Sequence, residues 1–398
     1  MEYDFDRIVN RRNTGAMKWN VPESELPMWV ADMDFETAPE VIEALRGRVS
    51  HGVFGYNEPG DDWYDAYISW WRRRHNFEMK SEWLMFSAGV IPTLSSTVRK
   101  LTTPNENVLI LTPVYNIFYN SIVNNGARVL ECELKYDGED YSIDWADLED
   151  KMADPQTVLM FFCNPHNPVG KIWDAGTIAK IGELAHRYNV TVVSDEIHCD
   201  LTSPGRDYVP FISVSDTCRD VCVMCISPTK AFNLAGIQTS AVCIPNPILR
   251  HKVWRALNTD EVAEPNVFAT VAAIAAFNKG EEWLDKLREY IEHNRRLVSE
   301  YIDDLAKEAV DGNRPVLRLI RGEATYLLWL DLRDYGLSSD DMQECLRKEA
   351  GLYLSTGSIY GKGGEGFLRM NIACPEATLK EGLSRLKKGL ISLDRMRT

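Results

Sequence analysis

The sequence predicts an α/β protein in which a mostly parallel sheet is covered by helices on both faces and followed by a smaller α+β part. Three observations carry this. Short β-branched runs alternate with longer helical patterns through the middle of the chain, and such alternation builds a parallel sheet with right-handed crossovers. Several runs have no polar face, as expected of strands sandwiched between helix layers. The last third returns to strand, helix and strand after a long helical stretch.

In chain order, the first 45 residues are polar and punctuated by proline, so they are expected to run over the surface or to join the second domain. Strands are predicted at Trp83–Phe86, Asn107–Leu111, Arg128–Leu134, Thr157–Phe162, Val190–Ser194, Val221–Ile226 and Thr239–Ile244. Between them, Val90–Leu101, Asn116–Asn125 and Ala175–Tyr188 have helical spacing. From Val267 to Asp304 the chain is rich in Ala, Leu, Glu and Arg and reads as long helices. Further strands follow at Val316–Ile320, Ala324–Asp331 and Gly366–Ile372, with a helix at Ser339–Glu349. These patterns divide the chain into a segment 1–45 joining the small domain, a large domain 46–285 and a small domain 286–398.

Composition narrows the function. Of 398 residues, 44 are Lys or Arg and 59 Asp or Glu, a net charge of −15. That balance argues against a nucleic-acid partner, which needs a positive field to displace counterions. No apolar run approaches the ~20 residues of a membrane span, and the acidic start lacks the features of a signal peptide. The nine cysteines are odd in number and scattered, which argues for reduced thiols and a cytoplasmic location. Cys222 and Cys225 form a lone Cys-x-x-Cys inside an apolar run. They read as buried strand residues rather than metal ligands, and no metal set is predicted.

The informative motifs lie at the ends of predicted strands, where open parallel sheets bind ligands. Trp83–Phe86 leads into Ser87-Ala88-Gly89-Val90. Thr157–Phe162 leads into Asn164-Pro165-His166-Asn167-Pro168-Val169-Gly170. Val190–Ser194 leads into Asp195-Glu196-Ile197-His198, and Val221–Ile226 into Ser227-Pro228-Thr229-Lys230. A lysine after a buried strand is by itself ordinary. Its company is not: Asp195 follows Asn167 by 28 positions, and Lys230 follows Asp195 by 35.

In order and spacing these boxes resemble the fold-type I pyridoxal-phosphate (PLP) enzymes, over nearly the whole chain. Leu26-Pro27-Met28-Trp29-Val30-Ala31-Asp32-Met33-Asp34-Phe35, His51-Gly52-Val53-Phe54-Gly55-Tyr56 and the two boxes around Asp195 and Lys230 are similar to the MalY/PatB group of cystathionine β-lyase-like C–S lyases. The resemblance implies that Lys230 bonds the cofactor and serves as base, a task for an amine freed beside the substrate. Asp195 would face the pyridine nitrogen and keep it protonated, Asn167 would donate to the ring oxygen, and Tyr115 would stack on the ring and share in catalysis. Gly89, Val90 and Ile91 open a helix whose free N–H groups suit a phosphate, and Ser227 would add a hydroxyl. Arg369 would grip the substrate carboxylate, a task suited to its planar fork. Its alternative is a structural ion pair. Trp29 and Tyr360 would shape the substrate pocket. Tyr56 would reach the phosphate of a neighbouring subunit, implying a homodimer with shared sites.

Two departures matter. Gln238 stands where related aminotransferases carry an arginine, and His198 stands where they carry a tyrosine. His198 either tunes the cofactor oxygen or fills space. The implied reaction is β-elimination from cystathionine, cysteine or another S-substituted cysteine, giving a thiol, pyruvate and ammonia. The alternatives are an aminotransferase and a cofactor-binding regulatory or interaction protein.

Overall fold

The computed structural model describes residues 3–396. At its centre is a seven-stranded sheet. Its strands in chain order are β1 (Leu84–Ser87), β2 (Asn107–Thr112), β3 (Arg128–Glu133), β4 (Thr157–Cys163), β5 (Thr191–Asp195), β6 (Cys222–Ile226) and β7 (Ser240–Cys243). Across the sheet they run β1-β7-β6-β5-β4-β2-β3. β7 is antiparallel to both neighbours, and every other pairing is parallel. The seven predicted strands of this sheet are found with no end shifted by more than one residue, and the helix at Val90–Leu101 has the predicted limits.

Strict alternation along the strands builds two separate cores. On β4, Leu159, Phe161 and Cys163 join Val193, Val223 and Cys225 on one face, packed with Leu94, Val98, Phe118 and Val253 from helices. Met160 and Phe162 join Val192, Cys222 and Met224 on the other, under Ile178, Ile181 and Leu184 of helix Ala175–Arg187. The side-chain period of two sends Cys222 and Cys225 to opposite faces, so they cannot share a metal ion. All nine cysteines are buried and unpaired.

The predicted long helical stretch is two helices, Ala269–Lys279 and Glu281–Asp311, interrupted at Gly280. Glycine is required there because a Cβ would stand 2.6 Å from Cε1 of Phe232 and 2.7 Å from the Ala276 carbonyl. Phe232, two residues past Lys230, stacks on Trp283 at 5.7 Å, so the helix break seats the lysine loop. A second, antiparallel sheet is ordered Arg318–Leu319, Leu327–Asp331, Phe367–Asn371, Ser355–Thr356. The predicted helix Ser339–Glu349 passes into a π-helical turn at Leu346–Ala350.

Residues 26–35 do not run over the surface. Leu26–Pro27 pairs with Leu352–Tyr353, Met28, Met33 and Phe35 are in the core, and Lys18 is 1% exposed. Within the first 45 residues a helix also begins, Pro39–His51. Further helices at Asp61–His75, Trp145–Ala153, Pro247–Thr259 and Glu376–Met396 complete the layers. Among the described residues no helix is long and apolar enough to cross a membrane.

Candidate active site

Because β1, β2, β4, β5 and β6 are mutually parallel, their carboxyl ends open on one edge of the sheet. A cavity of about 240 Å³ lies there. Gly89 and Val90 enter it from the end of β1, Tyr115 from β2, and Cys163 and Asn167 from β4. Asp195, Ile197 and His198 come from β5, and Thr229 and Lys230 from β6. β7 begins at the same edge because it runs the other way, which adds Gln238 and Thr239.

Lys230 is the cation of the cavity. Its Nζ donates to the Ala31 carbonyl at 2.6 Å. Burial, with Arg369 adding repulsion, pushes its pKa down to about 8, while Asp32 and Asp195 act against the fall. An amine so poised is partly neutral near physiological pH and able to accept a proton. Asp195 is buried, and burial raises its carboxyl to about 6, opposed by the Ile197 N–H on Oδ1 and by Lys230. It is therefore ionised at neutral pH and lacks a full counter-charge. His198 is held neutral by burial and by the charges of Lys230 and Arg369. Its buried Nδ1 has no hydrogen-bond partner.

Arg369 lies behind this wall. It is 4% exposed, and among the described residues no carboxylate pairs with it. Its Nη1 donates to Asn167 Oδ1 at 3.1 Å and its Nη2 to the Trp29 carbonyl at 2.9 Å. Nε is buried without a partner, and the guanidinium sits 5.1 Å from the centre of the Tyr360 ring. An uncompensated buried cation is costly, and among the described residues no structural ion pair offsets this one, which leaves the guanidinium able to take an anion. Tyr360 is buried, and its hydroxyl meets Ser355 Oγ at 3.0 Å. Trp29 stacks on Tyr353 at 4.9 Å and offers Arg369 its backbone rather than its ring.

At the opposite end, helix Val90–Leu101 starts at Gly89 with no side-chain cap, so its first N–H groups and dipole face the cavity. Thr229 and Thr239 bring hydroxyls to the cavity wall. Ser227 Oγ instead donates to the Thr239 carbonyl at 2.7 Å, lies 2.7 Å from Thr229 Oγ1 and is not part of the cavity wall. Gln238 holds a left-handed φ of 59°, an unfavourable conformation for a non-glycine residue that tends to mark functional sites. Tyr115 is mostly buried, and burial raises its phenol to about 12. His166 Nε2 bonds the Pro113 carbonyl at 2.8 Å, tying the Tyr115 loop to the Asn167 loop. Tyr56 is not in the wall of its own chain's cavity and is 103% exposed.

The sequence analysis missed Ala31, Thr229 and Thr239 in the wall. Thr229 stood inside the quoted Ser-x-x-Lys box, and Ala31 inside a quoted N-terminal stretch. Thr239 had no signal, since strand direction is not written in a local run.

The arrangement matches the chemistry of PLP part by part: an amine for its aldehyde, a buried unpaired carboxylate for a ring nitrogen, uncapped N–H groups for a phosphate, and an orphaned guanidinium for an amino-acid carboxylate. The comparisons agree with it. The chain matches "Aminotransferase class I and II" over residues 26–386. It is 40% identical to cystathionine beta-lyase PatB of Bacillus subtilis, across 97% of this chain and 100% of that protein. Cystalysin from Treponema denticola, whose crystal structure contains pyridoxal 5'-phosphate, superposes with a TM-score of 0.93 at 32% identity, covering 99% of this chain and 100% of that one. The PLP-bound C–S lyase from Staphylococcus hominis gives 0.89 at 32% identity, covering 98% and 99%. With its cavity built at the strand ends and its relatives aligned end to end, the chain belongs to the class I and II aminotransferase family, in the branch of the cystathionine β-lyases.

Proposed function

We propose that this chain is a PLP-dependent C–S β-lyase, which cleaves cystathionine, cysteine or a related S-substituted cysteine to a thiol, pyruvate and ammonia. The observation that carries it is the meeting of Lys230 and Asp195 in one cavity with an unpaired Arg369 behind Asn167. When bound, PLP supplies an electron sink for the pair left at the substrate Cα.

The chain's residues do the rest. The uncapped start of helix Val90–Leu101 and the Thr229 hydroxyl bind the phosphate. Asp195 holds the proton of the ring nitrogen, and Tyr115 and Asn167 fix the plane of the ring. His198, a neutral imidazole in the same wall, would face the bound ring. Arg369 takes the substrate carboxylate by its fork, which turns the Cα–H toward Lys230. Lys230 removes that proton, and the Cβ–S bond breaks with its electron pair going to sulfur. The Lys230 ammonium returns a proton so that the sulfur departs as a thiol, and water hydrolyses the released enamine to pyruvate and ammonia.

We also infer a cytoplasmic homodimer. Val53, Phe54 and Tyr56 are exposed together on the loop after helix Pro39–His51, a patch that a second copy would cover, and nine free cysteines suit a reducing compartment.

Incubating the full-length chain with PLP and L-cystathionine tests the reading, with pyruvate and free thiol as readouts. Both should form, and Lys230→Ala should lower the rate about a thousandfold or more. Transfer of the amino group with no thiol released would replace the lyase by an aminotransferase.

A further inference from the structure

The N-terminal segment is hydrogen-bonded directly to Lys230 and to Arg369. Four consecutive backbone carbonyls, from Trp29 to Asp32, are each held by a side chain of the site. Arg369 takes that of Trp29 at 2.9 Å, and Asn371 Nδ2 takes those of Val30 and Asp32 at 2.6 Å each. Lys230 Nζ takes that of Ala31 at 2.6 Å, and the Tyr326 hydroxyl shares it at 3.1 Å. On the other side of Lys230, Asn233 locks the same segment: Oδ1 accepts from Met33 N at 3.0 Å, and Nδ2 donates to the carbonyls of Met33 and Phe35 at 3.1 and 2.8 Å.

What anchors the segment is a closed cluster of four charges. Arg11 clamps Asp32 at 2.6 and 3.2 Å and reaches Asp34 at 2.7 Å. The buried Lys18 lies 2.7 Å from Asp34 and 3.9 Å from Asp32. Two cations balance two anions, so the cluster has no unmet charge of its own. Of its members, Asp32 is the one whose charge acts on Lys230. The other charged groups facing Lys230 are Asp195 at the end of β5 and Arg369 on strand Phe367–Asn371, and the neighbouring His198 is neutral.

We propose that Asp32 is a positioning residue for Lys230: it holds the 29–35 segment against the cavity, so that whenever Nζ is free of the cofactor it rests as an ammonium on the Ala31 carbonyl. A carbonyl can only accept, so it grips Nζ through an N–H and favours the protonated form. The Asp32 charge adds to that preference, while burial and Arg369 oppose it. This rests on the lyase reading, in which Lys230 bonds PLP.

The test is the pH dependence of PLP uptake by the full-length chain, followed as growth of the visible absorbance, because only a neutral Nζ can bond the cofactor. Asp32→Asn should lower the midpoint by about half a pH unit or more, because a cation at this position loses a nearby anion, and Asp32→Glu should restore it. The acid limb of the pH profile of kcat/KM should move with it. A merely structural role would lower Tm and leave the midpoint in place, and a midpoint unchanged or raised overturns the proposal. If Asp32→Asn fails to fold, Tyr326→Phe decides: removing the competing hydroxyl strengthens the Ala31 acceptor and should raise the midpoint, whereas no change overturns the proposal. A wild-type chain with no visible band on PLP addition would instead sink the lyase reading itself.

Discussion

Arg369 offers a test that separates ligand binding from stability within one side chain. It is buried on strand Phe367–Asn371 opposite Trp329 and Ser355, where a hydrophobic residue would ordinarily sit. Its fork meets only neutral acceptors, an amide oxygen and a backbone carbonyl, which offset part of its desolvation and none of its charge. Arg369→Met should therefore leave Tm at or above the wild-type value while lowering kcat/KM about a hundredfold or more, chiefly through KM. Thermal melts and steady-state kinetics check the two halves separately. A fall of several degrees in Tm with KM retained would return Arg369 to a structural role.

At the scale of the element, the end of β5 directs two acids to opposite sides of the sheet. Asp195 shares the face of Val193 and looks into the cavity. Ser194 and Glu196 share the face of Val192, where Ser194 Oγ and the Phe211 N–H donate to Glu196 Oε1 at 2.6 and 3.0 Å. Burial raises the Glu196 carboxyl to about 8. Glu196 Oε2 and Asn164 Oδ1 are both buried acceptors without partners, and a proton on Glu196 turns Oε2 into a donor. Between the usual carboxylate pKa of ~4.3 and about 8, the folded chain keeps a proton that the unfolded chain has released. Stability from this group thus declines as pH rises through that window and levels off above it. Glu196→Gln supplies a permanent donor, so its Tm should fall less between pH 5 and pH 8 than that of the wild type. Parallel melting curves in the two proteins would refute the neutral acid.

At the scale of the molecule, the exposed Tyr56 and the cavity of the same chain are separate, so a site completed by a second copy makes a quantitative prediction. Tyr56→Ala and Lys230→Ala should each form weakly active or inactive homodimers. In a statistical mixture, half of the dimers are hybrids with one site carrying both defects and the other neither. Co-expression should restore about a quarter of wild-type activity. No recovery in verified hybrids would mean that Tyr56 does not act across the interface.

Strand–helix alternation, the two apolar faces of β4 and β6, and the order of the Asn167, Asp195 and Lys230 boxes were all readable from local runs, because side-chain period and strand-end position are properties of neighbouring residues. The resemblance carried Arg369 and Tyr115. Only the folded chain could bring Ala31 onto Lys230 across 199 positions, put Thr229 in the wall and leave Ser227 outside it, reverse β7 so that Thr239 enters the wall, and leave Arg369 without an acid among the described residues. Each of those depends on which distant segments share a buried volume, and burial is what raises or lowers the charge of every group in it.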